Sequence, residues 1–338
     1  MIAYPSSPPM YTAIQQLTAA ILKENTRGAL YRHVHELHDI FASVTGISAS
    51  SIPNEAIFLP QGKAVGPVGA AHCLLEVQRT AVFLKGIYKA ILHLQKIFPG
   101  ERINILYAGC GPYATLLTPM ATVFSPNDIG FVLLDINEIS LTAAKQLYET
   151  LQLQEYVTRY VVADATSYTI NPADDIHMVI SETMLNALQR EPQAAVMQHL
   201  IPQMRAHAVF IPSGISVSAK LVSVKQEQES FFEGGKKPHR VHLGELCAIS
   251  NQATEMPGEV TVTIPQDTGD MNRLQLFTNI TVFEDEQLDA YDCSLTLPVT
   301  LFDICEEHKG LTLRFRYATG NNPRFEYAIN DSKKFLRC

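Results

Sequence analysis

Ile103-Asn104-Ile105-Leu106-Tyr107-Ala108-Gly109-Cys110-Gly111-Pro112-Tyr113-Ala114 decides the fold. Its opening apolar run is the length of a buried strand, and two glycines set one residue apart follow at once. Glycine lets a backbone turn sharply and lets a ligand approach with no Cβ in the way. A helical stretch from Tyr113 to about Val123 is expected next. The spacing also satisfies the looser GxGxxA turn of dinucleotide-binding units, so a nicotinamide reading stands beside any other nucleotide at this point.

Downstream, strand-like and helix-like segments alternate. Phe131 to Leu134 is a strand closed by Asp135, and a helix runs from about Glu138 to Leu151. Tyr156 to Val162 and Ile176 to Ile180 are two more strands. A helix from about Pro192 to Met204 leads into the strand Val209 to Ile211. This rhythm predicts a doubly wound, mostly parallel α/β sheet of Rossmann-like type. The Gly turn, Asp135 and the Ala163-Asp164-Ala165 stretch then fall at the C-terminal ends of three successive strands, where such sheets bind ligands. Asp135 can accept hydrogen bonds from ribose hydroxyls. Asp164 or a neighbouring backbone group can meet an adenine amine.

Upstream, Ile14, Leu17 and Ile21 recur at helical spacing. So do Leu30, Val34, Leu37, Phe41 and Val44, before Gly46. A turn-prone stretch with Ser50, Ser51, Pro53 and Asn54 follows. Gly62 to Pro67 reads as either a lid or a connector, and a long helix is expected from Ala70 to Phe98. After Pro212 the period becomes two, over Ile215–Leu221, Val260–Ile264, Leu274–Val282, Leu295–Leu301, Leu311–Tyr317 and Phe325–Ile329. That pattern predicts an antiparallel, barrel-like β unit. The expected division is an N-terminal helical cap over 1–100, a nucleotide-binding unit over 101–213 and a β-rich unit for substrate or oligomerisation over 214–338.

The chain has 338 residues, 46% of them apolar, and a formal net charge of −8. That balance argues against nucleic acid or an anionic membrane as partner. The basic run Lys236 to Arg240 reads as a solvated loop. Six scattered cysteines form no CxxC pair, so no metal site is expected. Neither a leader in Met1 to Met10 nor a long apolar span is visible, which makes the cytoplasm the expected compartment. His33, His35 and His38 read as a polar helix face and His177 as a hydrogen-bonded core side chain. His72, His239 and His242 are weaker candidates to face a site.

With these residues in view, the chain resembles the class I S-adenosylmethionine-dependent methyltransferases, and within them the protein arginine methyltransferase group. That group carries a stretch of the form SExMG with a second glutamate nine residues after the first. Here Ser181-Glu182-Thr183-Met184-Leu185 follows a strand, and Glu191 stands nine residues after Glu182. The family's helix before the Gly turn reads roughly ML-x-D-x-x-RT, which Cys73-Leu74-Leu75-Glu76-Val77-Gln78-Arg79-Thr80 matches loosely. The resemblance covers residues 70 to 222 by motif.

It implies S-adenosylmethionine as cofactor, with Arg79 on its carboxylate, a role suited to the planar guanidinium fork. Gly109, Cys110 and Gly111 would lie beneath it, Asp135 would meet the ribose, and Asp164 with Ala165 the adenine. Glu182, Glu191 and Met184 would form the catalytic face. The two glutamates would orient a cationic nitrogen, or one would act as general base toward a neutral acceptor. The family's pairing into dimers is implied without a recognisable dimerisation arm. The chain departs from the pattern at Tyr107, Thr183 and Leu185, and it has no tryptophan for the family's Thr-His-Trp loop. A small-molecule acceptor is therefore expected ahead of peptidyl arginine. A nicotinamide-dependent oxidoreductase and a non-catalytic binding relative are the alternatives from other classes.

Overall fold

The computed structural model describes residues 9–51, 56–233, 237–330, 332 and 334–338. Pro53, Asn54, Lys236 and Met1 to Pro8 lie outside the described residues. Helix α1 (Pro9–Lys23) buries Ile14, Leu17 and Ile21, and α2 (Arg27–Thr45) buries Leu30, Val34, Leu37 and Phe41, so each apolar stripe faces the core. The same stripe carries His38, which is 7% exposed and hydrogen-bonds through Nδ1 to Asp39 and through Nε2 to the Ala49 N–H. The expected polar face is thus corrected at His38, because a ring with both nitrogens partnered can be buried.

A hairpin of two three-residue strands, β1 (Ile57–Leu59) and β2 (Gly62–Ala64), interrupts the helical region. The single helix expected over Ala70 to Phe98 is two, α3 (Pro67–Cys73) and α4 (Val77–Ile97). At the break, the Leu74 carbonyl accepts from the Thr80 hydroxyl at 2.8 Å. The same break leaves Glu76 at the N-cap position of α4, three residues before Arg79.

The central sheet contains β3 (Ile103–Ala108), β4 (Ile129–Asp135), β5 (Val157–Val162), β6 (Ile176–Ser181) and β7 (Val209–Ile211). Helix α5 (Glu138–Thr150) joins β4 to β5, and α6 (Gln193–Leu200) lies between β6 and β7. The strands stand in the order β5-β4-β3-β6-β7, every pair parallel. The chain winds one way from β3 and then returns to its other side, so the switch point lies at β3 and β6, where doubly wound sheets open a crevice. All residues of β4 and β6 are buried, as parallel strands covered on both faces must be.

One expectation fails beside the Gly turn. Tyr113 to Val123 is a chain of tight turns ending in a single 3-10 turn, Met120–Thr122, not an α-helix. Ala114 sits at φ 43°, and Pro112 and Pro119 lack the N–H groups that a continuous ladder needs. The apolar run misleads because it is buried, with Tyr113, Leu117 and Met120 fully inaccessible.

Beyond lie two antiparallel sheets. The first has β8 (Gly214–Val222), β9 (Arg240–Ser250), β11 (Arg273–Phe283), β12 (Glu286–Leu288) and β13 (Val299–Asp303). The second has β10 (Glu259–Thr263), β14 (Thr312–Ala318), β15 (Arg324–Ile329) and β16 (Leu336–Arg337). Helix α7 (Val224–Glu233) precedes the run Lys236 to Arg240 read as a solvated loop, and the last residue of that run, Arg240, opens β9, the strand that also holds His242. Two register shifts against β8 break the period-two signal of β9. The strand expected over Leu295 to Leu301 begins only at Val299, and Ser294–Thr296 forms a 3-10 turn. Among the described residues no helix is long and apolar enough to cross a membrane.

Candidate active site

A cavity of about 290 Å³ opens at the C-terminal ends of β3, β4 and β6, and it gathers the residues singled out from sequence. Arg79, Gly109, Cys110, Gly111, Asp135, Asp164, Ala165, Glu182, Met184 and Glu191 all line it, although they span more than a hundred positions. The histidine candidates do not join them. His72, His239 and His242 are exposed, and none of the three lines the cavity. His177 is buried at the start of β6, where its Nδ1 accepts the Asn104 N–H at 3.2 Å.

The Gly turn is built by short bonds to β4. Gly109 and Cys110 donate their N–H groups to the Leu134 carbonyl at 2.8 and 3.1 Å. Gly109 and Gly111 adopt φ values of 77° and 66°, which favour glycine. An added Cβ at Gly109 would stand 2.8 Å from the Thr183 methyl. Asp135 does more than face the crevice: one oxygen accepts the Gly111 N–H and the other the Asn137 N–H, each at 2.8 Å. Burial nevertheless holds its carboxyl above the ordinary aspartate range, against those two bonds. Each oxygen keeps a second lone pair for a hydroxyl donor. Asp164 closes a small turn through one oxygen, which accepts both the N–H and the hydroxyl of Thr166 at 2.8 Å.

The other end of the cavity is dominated by carboxylates around one guanidinium. Arg79 donates from Nε to Glu182 Oε2 at 3.0 Å and bonds the same oxygen through Nη2. Its Nη1 donates to Glu76 Oε1 at 2.9 Å. Glu76 in turn accepts from Ser294, whose N–H and hydroxyl reach it at 2.7 and 2.6 Å. Glu182 Oε1 is buried and has no hydrogen-bond partner among the described residues. Glu191 is 8% exposed and has no ion pair among the described residues. Burial first, and then the charge of Glu182, push its carboxyl up to about 7, while Arg79 and Lys63 pull the other way. Burial also raises Glu182, and Arg79 opposes the shift.

Three supports of this site are not readable from motifs. Gln193, fully buried, accepts from the Thr183 N–H at 2.8 Å and donates to the Ser181 carbonyl at 3.0 Å, so it fixes the backbone on both sides of Glu182. The β1–β2 hairpin packs on the Glu191 loop, with the Lys63 N–H on the Arg190 carbonyl at 2.7 Å. Tyr317 and Pro323 hold that loop from behind, through the Leu188 carbonyl and the Arg190 N–H, each at 2.7 Å. A buried glutamine at a helix start carries no sequence signal, and neither does a loop held by distant backbone. Elsewhere, Glu101, Asp175 and His177 come together, but Arg205 Nη1 bonds all three within 3.1 Å and fills the centre of the group.

No family model matches the chain, and no curated protein is similar to it in sequence. Among solved structures, its fold is similar to a chain of the Trypanosoma brucei PRMT1 enzyme–prozyme heterotetrameric complex with AdoHcy. The TM-score is 0.53 at 11% identity, over 78% of this chain and 94% of that one. What the chain shares with that protein arginine methyltransferase structure is the fold: a parallel α/β core joined to antiparallel sheets.

Proposed function

We propose that this chain is an S-adenosylmethionine-dependent methyltransferase acting on a small acceptor. The observation that carries the reading is the convergence, in one cavity, of a positive-φ Gly turn, two strand-end aspartates and the Glu182–Arg79 pair. The neighbouring fold, solved with AdoHcy, agrees with it.

The residues present fit that cofactor. The Gly109–Gly111 cradle leaves no room for a Cβ at its first glycine, and the free lone pairs of Asp135 suit ribose hydroxyls. A guanidinium has five N–H donors. Arg79 spends three on Glu182 and Glu76, and the remainder can take the cofactor's carboxylate. When bound, the cofactor supplies a sulfonium methyl open to in-line displacement. The protein's part is then to hold the acceptor collinear and exclude water. Glu182 anchors the acceptor through its free Oε1, and Glu191 orients it or takes its proton. In this proposal 101–213 binds the cofactor, while 1–100 and 214–338 cover it.

Two features favour a small acceptor over a peptide. Ser294 reaches across to Glu76 and draws the β unit against the start of α4. The cavity, about 290 Å³, also sits at the low end of the roughly 300–1,000 Å³ typical of ligand sites, and a nucleoside uses most of that.

Calorimetric titration with S-adenosylhomocysteine, with NAD in parallel, tests the cofactor. Binding of the first alone, weakened about tenfold or more in Asp135→Asn, supports the reading. Binding of NAD alone would replace it with a dehydrogenase.

A further inference from the structure

The acceptor end of the cavity carries more carboxylate than cation. Glu76, Glu182 and Glu191 all line it, and Arg79 is the guanidinium set among them. Arg79 is hydrogen-bonded and ion-paired to Glu76 and Glu182, and among the described residues it makes no ion pair with Glu191. Glu182 lines this space, and its Oε1 is buried with no hydrogen-bond partner among the described residues. An anionic oxygen without a donor in a low-dielectric site is costly, so such a cluster either keeps a proton or takes up a cation.

The charged groups around Glu191 can be named element by element. From the loop after β6 comes Glu182, and from α4 comes Arg79 with Glu76 behind it. The hairpin contributes Lys63, whose effect is smaller than that of Arg79. On the far side lies a narrow pocket bounded by Gln61, Gln198, Tyr317 and Pro323, which brings no charged side chain besides Glu191 itself. Arg79 and Lys63 only partly offset the burial of Glu191 and the charge of Glu182, so its carboxyl stays raised.

We infer that Glu191, beside Glu182, makes this cavity discriminate a cationic sulfonium donor from its neutral thioether product, by releasing a proton when the cation binds and regaining it when methyl transfer removes the charge. The inference rests on the methyltransferase reading. The bond that breaks is the carboxyl O–H of Glu191: its proton passes to water or a buffer base as the sulfonium charge takes its place. The burial that brings this carboxyl to about 7 puts the exchange within the neutral range. Transfer moves the positive charge from sulfur to the methylated acceptor; once that acceptor has given up a proton or left, the neutral thioether sits beside an ionised Glu191, and reprotonation favours product release.

Calorimetry on the full-length protein tests this without any acceptor. S-adenosylmethionine and S-adenosylhomocysteine are titrated separately at pH 6.5 and 7, in PIPES and in imidazole, whose ionisation enthalpies differ. The expected result is release of roughly half a proton more with the sulfonium than with the thioether at pH 7, where a group of that pKa is half protonated. The sulfonium's affinity advantage should also grow about twofold between pH 6.5 and pH 7. Both differences should vanish in Glu191→Gln, which keeps the shape and removes the titration. Equal proton counts for the two ligands in the wild type, or a difference that survives in Glu191→Gln, overturn the inference and leave the cofactor assignment standing. Failure of both ligands to bind overturns the cofactor assignment and the inference with it.

Discussion

Arg79 places both Nε and Nη2 on a single oxygen of Glu182, leaving the other carboxylate oxygen buried and free. The pair is almost shut off from water, at 8% and 11% side-chain exposure. Removing one member of such a pair leaves an uncompensated charge in the interior, whereas removing both does not. Arg79→Met should therefore cost about 3–5 kcal/mol of unfolding free energy by denaturant titration. Adding Glu182→Gln should recover a large part of that loss. A double variant no more stable than Arg79→Met alone would mean that the charges are not coupled.

Glu191 makes stability depend on pH with a definite sign. Its carboxyl is raised in the folded state from 4.5 to about 7, so the folded chain holds this proton more tightly than the unfolded chain. Ionising it costs nothing extra below about pH 4.5. The penalty grows as pH rises toward 7 and is complete above it, of order 1–3 kcal/mol for such a shift. Glu191→Gln should thus leave the ligand-free protein's Tm nearly unchanged at pH 5 and raise it at pH 8. Equal Tm changes at both pH values would contradict the assignment.

The placement of Gly109, Gly111, Asp135 and Asp164 at one end of the cavity was legible because it is local: each closes or follows a strand, and strand ends are readable from apolar runs. Arg79, Glu182 and Glu191 were legible only through family spacing. The Glu76–Ser294 contact joins residues 218 positions apart, and no local pattern announces it. Strands β1 and β2 are too short for a period of two to emerge. Tyr113 to Val123 shows the opposite error, since its apolar spacing reflects burial around turns that Pro112, Ala114 and Pro119 impose. The doubly wound core survived that error because its strands, not its connections, set the topology.

Gln193 is the hinge pin of the Glu182 loop. Its side-chain oxygen and nitrogen satisfy the Thr183 N–H and the Ser181 carbonyl in a fully buried place that water does not reach. Gln193→Ala strands both backbone groups and opens a void, which should cost about 2–4 kcal/mol and weaken S-adenosylhomocysteine binding. Gln193→Glu keeps the acceptor for Thr183 but loses the donor for Ser181, so it should fall between the two. Tm and calorimetric affinity together would show whether stability and site geometry move as one.

Gly62 joins the hairpin to the Glu191 loop by close backbone contact. At φ 143° it occupies a conformation that L side chains rarely adopt. An added Cβ would lie 2.9 Å from the Arg190 carbonyl oxygen and 3.0 Å from both the Glu191 carbonyl carbon and the Pro192 nitrogen. All three are backbone atoms, so the clash cannot be relieved by turning a side chain, and one of the two segments must move. Gly62→Ala is accordingly expected to cost about 1–3 kcal/mol and to displace Glu191 from the cavity. Gly100, at φ 83° with open space around its Cβ position, supplies the comparison, because Gly100→Ala carries the conformational strain without the contact. If seating of the hairpin sets the position of Glu191, only the Gly62 variant should shift the pH at which the fall in ligand-free Tm levels off. If both variants lower Tm alike and leave that pH unchanged, the hairpin is a wall of the cavity and not a determinant of its carboxylate.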